Sequence, residues 1–93
     1  MTIAALSSEL IPVLKEYKII RASLFGSFAR GDQQENSDVN LLIDTNGKLN
    51  LFDILRLERK LAERVSRKVD LVEFDAIKSS IREQVLKETI QIL

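Results

Sequence analysis

Cysteine and histidine are both missing from the 93 residues. Without cysteine there is no disulfide framework, no thiolate nucleophile and no Cys-based zinc site. Without histidine there are no Ser-His-Asp triads, no Cys-His pairs and no imidazole-held metals. Any chemistry must therefore rest on carboxylates, amides, hydroxyls, Lys and Arg. Four Phe and one Tyr are too few for an obvious base-stacking ladder. No sign of charge prevails, since 14 Lys and Arg offset 14 Asp and Glu. That balance argues against a general electrostatic grip on nucleic acid or anionic membrane. No apolar run approaches the roughly 18 residues a membrane helix needs. Met1 to Leu14 has no basic start and is interrupted by Glu9, so no signal peptide is read and a cytoplasmic location is expected.

What is present is the balance of a folded soluble chain, 45% apolar and 30% charged. The length allows one domain over residues 1–93, with a core small enough that a partner or an oligomer is expected to complete it. Ser8 to about Tyr17 reads as an amphipathic helix capped by Ser7 or Ser8, with Pro12 acceptable only near its first turn or at a kink. Ile19 to Phe25 suits a buried strand closed by Gly26, and Asp32 to Ser37 is a polar loop. Val39 to Ile43 is a second strand, followed by turn chemistry at Asp44-Thr45-Asn46-Gly47. Leu51, Ile54, Leu57, Leu61 and Val65 form the stripe of a helix facing a core. Lys68 to Phe74 is a third strand interrupted by Asp70. Beyond Asp75 the pattern turns helical, with Ser80 and Glu83 in capping-box spacing and Ile81, Val85 and Leu86 as its buried face. Thr89 to Leu93 fits either a helix extension or a short strand. Such alternation predicts an α/β or α+β fold, a small mixed sheet with helices packed on one face.

Three features carry chemistry. Phe25-Gly26-Ser27-Phe28-Ala29-Arg30-Gly31 puts a glycine and a hydroxyl between a strand end and a short helical turn, an arrangement that lets backbone N–H groups meet an anion. It is not a Walker A loop, and taken alone a Gly-Ser pair after a strand is more often an ordinary turn. Asp38 and Asn40 lie two apart on a strand and so share a face, two oxygen donors suited to Mg²⁺ or simply a polar edge. Asp70 interrupts an apolar strand, where a metal, an Arg partner or solvent exposure would each offset the cost of its charge.

In this order the three features resemble the DNA polymerase β-like nucleotidyltransferases, and most closely the minimal nucleotidyltransferases (MNT) that act as antitoxins paired with HEPN toxins. Leu24 to Gly31 with Ser37-Asp38 matches the core motif, Val69-Asp70-Leu71-Val72 the third-aspartate strand, and Ile81 to Glu88 the usual C-terminal helix. The resemblance implies the polymerase β-like fold and transfer of AMP from ATP to an acceptor hydroxyl, a tyrosine of the HEPN toxin. It further implies Mg²⁺, two ions, at Asp38, Asn40 and Asp70, with the triphosphate on Gly26 and Ser27 and with Arg30 near phosphate. A hetero-oligomer with the toxin follows, without membrane or direct nucleic-acid contact. Arg30 could equally pair with the Asp32 loop.

Asn40 departs from the family pattern, which has aspartate there. An amide oxygen still coordinates, but it is neutral. Two functions therefore stand open: an adenylyltransferase slowed by Asn40, or a degenerate module that neutralises the toxin by contact alone. A small-molecule nucleotidyltransferase fits less well, because the chain leaves little length for a separate substrate domain. Arg56, Lys60, Arg64 and Lys68 recur every fourth residue, either a solvated helix face or a docking stripe for an acidic partner surface or for RNA held by a partner.

Overall fold

The structure, a computed structural model, describes residues 2–93. The first helix, α1, spans Ile3–Glu16 and opens on Thr2, whose hydroxyl accepts from the Ala5 N–H at 3.1 Å. It begins well before the expected Ser7 or Ser8, because the buried face Leu6, Leu10, Val13 and Leu14 already starts at Leu6. Ser8 lies inside the helix and donates its hydroxyl to the Ala4 carbonyl. Pro12 is also interior, beyond the first turn, on an exposed position where its ring meets solvent. The helix ends in a Schellman motif: Lys18 is left-handed, and Ile19 and Lys18 donate to the Leu14 and Lys15 carbonyls. That use of the Ile19 N–H delays the first strand, β1, to Arg21–Phe25.

A short helix α2, Ser27–Arg30, leads through the polar loop to β2, Val39–Asp44. Helix α3, Leu51–Val65, starts on a capping box in which Asn50 and Asp53 exchange side chain-to-backbone bonds of 2.9 and 3.1 Å. Strand β3 is Val69–Glu73, and Phe74 opens a 3-10 turn, Phe74–Ala76, instead of ending the strand. Helix α4, Ser79–Lys87, has Lys78 at its cap with no side-chain bond, so the expected Ser80–Glu83 box does not form. Ile77 and Lys78 leave the turn extended, the helix starts at Ser79, and Ser80 already falls within its first turn. Residues Ile90–Gln91 form β4, which resolves the open choice at Thr89 to Leu93 as a strand.

The sheet runs β3-β2-β1-β4, with β1 antiparallel to both neighbours and β3 parallel to β2. Ala22, Leu24, Val39, Leu41, Ile43 and Val69 face α1 and α3, where Leu6, Leu10, Leu57 and Leu61 complete the core. Leu51 is not part of it, being 70% exposed beside an open groove between the start of α3 and the end of β3. No residue of α4 is buried, and Ile81, expected on its inner face, is 46% exposed. The helix is tied down through Arg82, which donates to the Ile77 and Asp75 carbonyls at 2.9 and 3.3 Å and lies 5.1 Å from the Phe74 ring centroid, with Arg21 at 4.8 Å from the same ring. Among the described residues, no helix is long and apolar enough to cross a membrane.

Candidate active site

Strand register brings the predicted residues to one end of the sheet. Asn40 lies opposite Phe25, the last residue of β1, and opposite Asp70 on β3. Directly opposed residues project to the same face, and Val39, Leu41 and Val69 are spent on the core, so Asn40 and Asp70 stand side by side on the other face. Asp38 is exposed just ahead of β2, where the Val39 N–H donates to the Lys68 carbonyl at 2.9 Å. Gly26 and Ser27 follow Phe25 directly and therefore flank the same end.

Gly26 has φ 74° and ψ −145°, backbone that side chains rarely adopt. A Cβ on it would lie 2.7 Å from Asn40 Nδ2. The turn and the amide thus pack against one another, and only glycine leaves room for both. No side chain caps α2, so its leading N–H groups keep no side-chain partner. The side-chain hydrogen bonds nearby are made by Arg30, Ser37 and Arg67, whereas Ser27, Asp38 and Asn40 spend theirs on no protein group among the described residues.

Asp70 is half-buried rather than sealed, with 42% of its side chain exposed and Lys68 Nζ 3.9 Å away. Exposure and a distant cation already offset its charge, so its presence in the strand does not by itself demand a metal. Its position is firm all the same: the neighbouring Leu71 N–H, on the outer edge of the sheet, donates to Glu58 of α3 at 3.3 Å. Arg30 Nε pairs with Asp32 at 3.2 Å, the structural alternative raised by the sequence. The pair is largely exposed, and Arg30 also borders a cleft of about 950 Å³ that runs from Phe25 and Gly26 to Lys87 and Thr89.

The donor set tests the fit to metal. No three acidic residues cluster tightly enough among the described residues to hold an ion unaided. Two carboxylates with an amide oxygen do suit Mg²⁺ that arrives with phosphate oxygens and water, which is how this cation is commonly bound. Sequence reasoning missed Arg67, which bonds to the loop ahead of Asp38 and whose carbonyl partners leave no sequence signature.

Known proteins of similar sequence and fold place the chain in a family. The family described as "Polymerase beta, Nucleotidyltransferase" matches residues 8–93. MJ0435 of Methanocaldococcus jannaschii, whose name proposes a protein adenylyltransferase, is 32% identical over 93 residues, covering 100% of both chains. The protein adenylyltransferase MntA of Thermococcus cleftensis is 32% identical over 78 residues, 84% of this chain and 79% of its own. Among solved structures, a toxin-antitoxin crystal structure with AMP-PNP superimposes with a TM-score of 0.81 at 27% identity, covering 94% of this chain and 72% of that one. By sequence and by fold, the chain belongs to the polymerase β-type nucleotidyltransferases, among the minimal members related to MntA.

Proposed function

We propose that the protein transfers AMP from ATP to a hydroxyl, a tyrosine of a HEPN-type toxin, and thereby neutralises that toxin. The observation that carries this is the lateral pairing of Asn40 with Asp70 beside the Gly26 turn. In this reading the Gly26-Ser27 turn receives the triphosphate on backbone N–H groups and the Ser27 hydroxyl. Asp38 and the Asn40 amide oxygen would hold Mg²⁺, and Asp70 would hold a second ion. Bound Mg²⁺ would neutralise phosphate charge and lower the pKa of the acceptor hydroxyl. The hydroxyl oxygen forms a bond to the α-phosphorus while the bond from that phosphorus to the bridging oxygen breaks. Pyrophosphate leaves with the bonding pair, and the proton passes to the Asp70 carboxylate or to water. Arg30, free at the cleft rim apart from an exposed ion pair, lends positive charge near the phosphates. The name MntA and the AMP-PNP bound in the similar toxin-antitoxin structure support ATP and a toxin partner.

One observation favours the binding-only alternative: residue 40 is asparagine, which leaves two carboxylates at the site. Incubation with Mg²⁺, α-labelled ATP and the partner decides between the two. Label should appear on the partner and vanish with Asp70→Asn. A neutralised but unlabelled partner would instead establish contact alone.

A further inference from the structure

Arg67 follows the left-handed Ser66 that ends α3, and its own N–H donates back to the Ala62 carbonyl at 3.3 Å. From that anchored backbone the side chain reaches a segment 30 positions earlier: Nη1 donates to the Ser37 carbonyl at 3.2 Å and to the Gln34 carbonyl at 3.3 Å. The same guanidinium lies 5.5 Å from the ring centroid of Phe28, a fully buried residue next to Ser27. One side chain therefore touches both the segment that carries Ser27 and the segment that carries Asp38. Elsewhere the loop between them is held at its start, where the Asp32 N–H donates to the Ser27 carbonyl at 3.1 Å and the Asp32 carboxylate pairs with Arg30. Ser37 closes a local turn on Gln34 through bonds of 2.7 and 3.0 Å, and Gln33 Oε1 is buried without a partner.

We propose that Arg67 is a positioning residue, which sets Asp38 against the Gly26-Ser27 turn by clamping the Ser37 carbonyl to the face of Phe28. The proposal rests on the site reading above and adds the group that aligns its two halves. A guanidinium suits the task because its edge donates in a fixed fork while its flat face stacks on an aromatic ring. A lysine ammonium supplies a donor without the planar face. Mg²⁺ demands near-ideal octahedral geometry, so a small displacement of Asp38 disturbs its coordination. Supporting residues behind a metal ligand typically change metal affinity by about 10–100-fold.

The test measures binding of Mn²⁺ with a non-hydrolysable ATP analogue by water-proton relaxation enhancement, which rises only when the protein joins the metal–nucleotide complex. Wild type, Arg67→Met, Arg67→Lys and Asp38→Asn are compared, with amide hydrogen exchange recorded on each. Both Arg67 variants should bind Mn²⁺ about 10–100-fold more weakly, with faster exchange over residues 34–39 and unchanged protection in the cores of α1 and α3. If Arg67→Met loses core protection, Arg67→Lys decides the matter alone. Wild-type Mn²⁺ affinity in the Arg67 variants, alongside its loss in Asp38→Asn, would overturn the positioning role and leave the site reading intact. Retention of Mn²⁺ by Asp38→Asn would remove the site reading, and the proposal with it.

Discussion

Gly26 is held by two independent constraints, its positive φ and the Asn40 amide that fills the space a side chain would need. Gly26→Ala should therefore cost about 1–3 kcal/mol in backbone strain and also push the Asn40 amide aside. Thermal unfolding reads the first effect, as a drop of roughly 4–8 °C per kcal/mol in a domain of this size; metal-dependent nucleotide binding reads the second. Asn40→Asp should act in the opposite direction on turnover. It adds one negative charge at the cation site, where even a pair of unit charges about 4 Å apart is worth on the order of 4 kcal/mol at an effective dielectric near 20 before water screens it. Transfer should accelerate by about one to three decades, most visibly at limiting Mg²⁺, and equal rates would show that residue 40 is not a working ligand. The placement of Asn40 on the face away from the core was legible from strand alternation, whereas Asp38, expected on the same strand, lies just ahead of it. The pairing of Asn40 with Asp70 was not legible, since parallel pairing of β2 with β3 is non-local, and it became expected only through resemblance to a family. Arg67 was invisible because backbone carbonyls are offered by every residue.

The long helices show how local signals compete with burial. The stripe of α3 was readable as far as Leu57, Leu61 and Val65, yet Leu51 and Phe52, exposed at 70% and 69%, show that a hydrophobic period continues past the end of the core it faces. Ser7 and Ser8 were attractive caps, but the apolar face of α1 begins at Leu6, and Thr2 serves instead. A capping box forms at Asn50–Asp53 on α3, whereas α4 starts with no side-chain cap at all. Asn50→Ala should lower stability by about 1 kcal/mol, which denaturant titration can measure. α1 and α3 are joined by Lys60 and Glu16 at 2.6 Å. The hydrogen bond to Glu16 raises the Lys60 pKa above its ordinary value, opposed by partial desolvation and reinforced by the Glu16 charge. A folded-state value above the unfolded one means the contribution is complete below the ordinary lysine range and fades as pH rises through the folded value. Melting curves of wild type and Lys60→Met should thus differ at neutral pH and converge only as pH rises beyond the ordinary lysine value of 10.5. A difference that disappeared below that value would contradict this.

For the molecule as a whole, the basic residues that suggested a docking stripe are engaged within the chain. Lys60 pairs with Glu16, Arg56 with Asp53, and Arg64 approaches Glu9 at 3.9 Å, while Lys68 lies beyond α3 and faces Asp70. Changing Arg56, Lys60 and Arg64 together to Glu should lower stability only slightly, as expected for solvent-screened exposed pairs. Affinity for the partner should stay nearly unchanged, and a large loss in a binding titration would restore the stripe as an interface. Strand alternation and helical stripes made the single mixed sheet and its two main covering helices legible. The slight packing of α4 was not, because its apolar residues carry a helical pattern whether or not anything lies beneath them. The central claim is that the partner is silenced by covalent modification and not by contact. The most direct measurement is the intact mass of the partner together with its toxicity, after co-production with wild type or with Asp38→Asn. The account predicts an adenylyl group on a partner hydroxyl and suppressed toxicity with wild type, and neither with Asp38→Asn. Equal suppression by both forms, with no mass added to the partner, would contradict it.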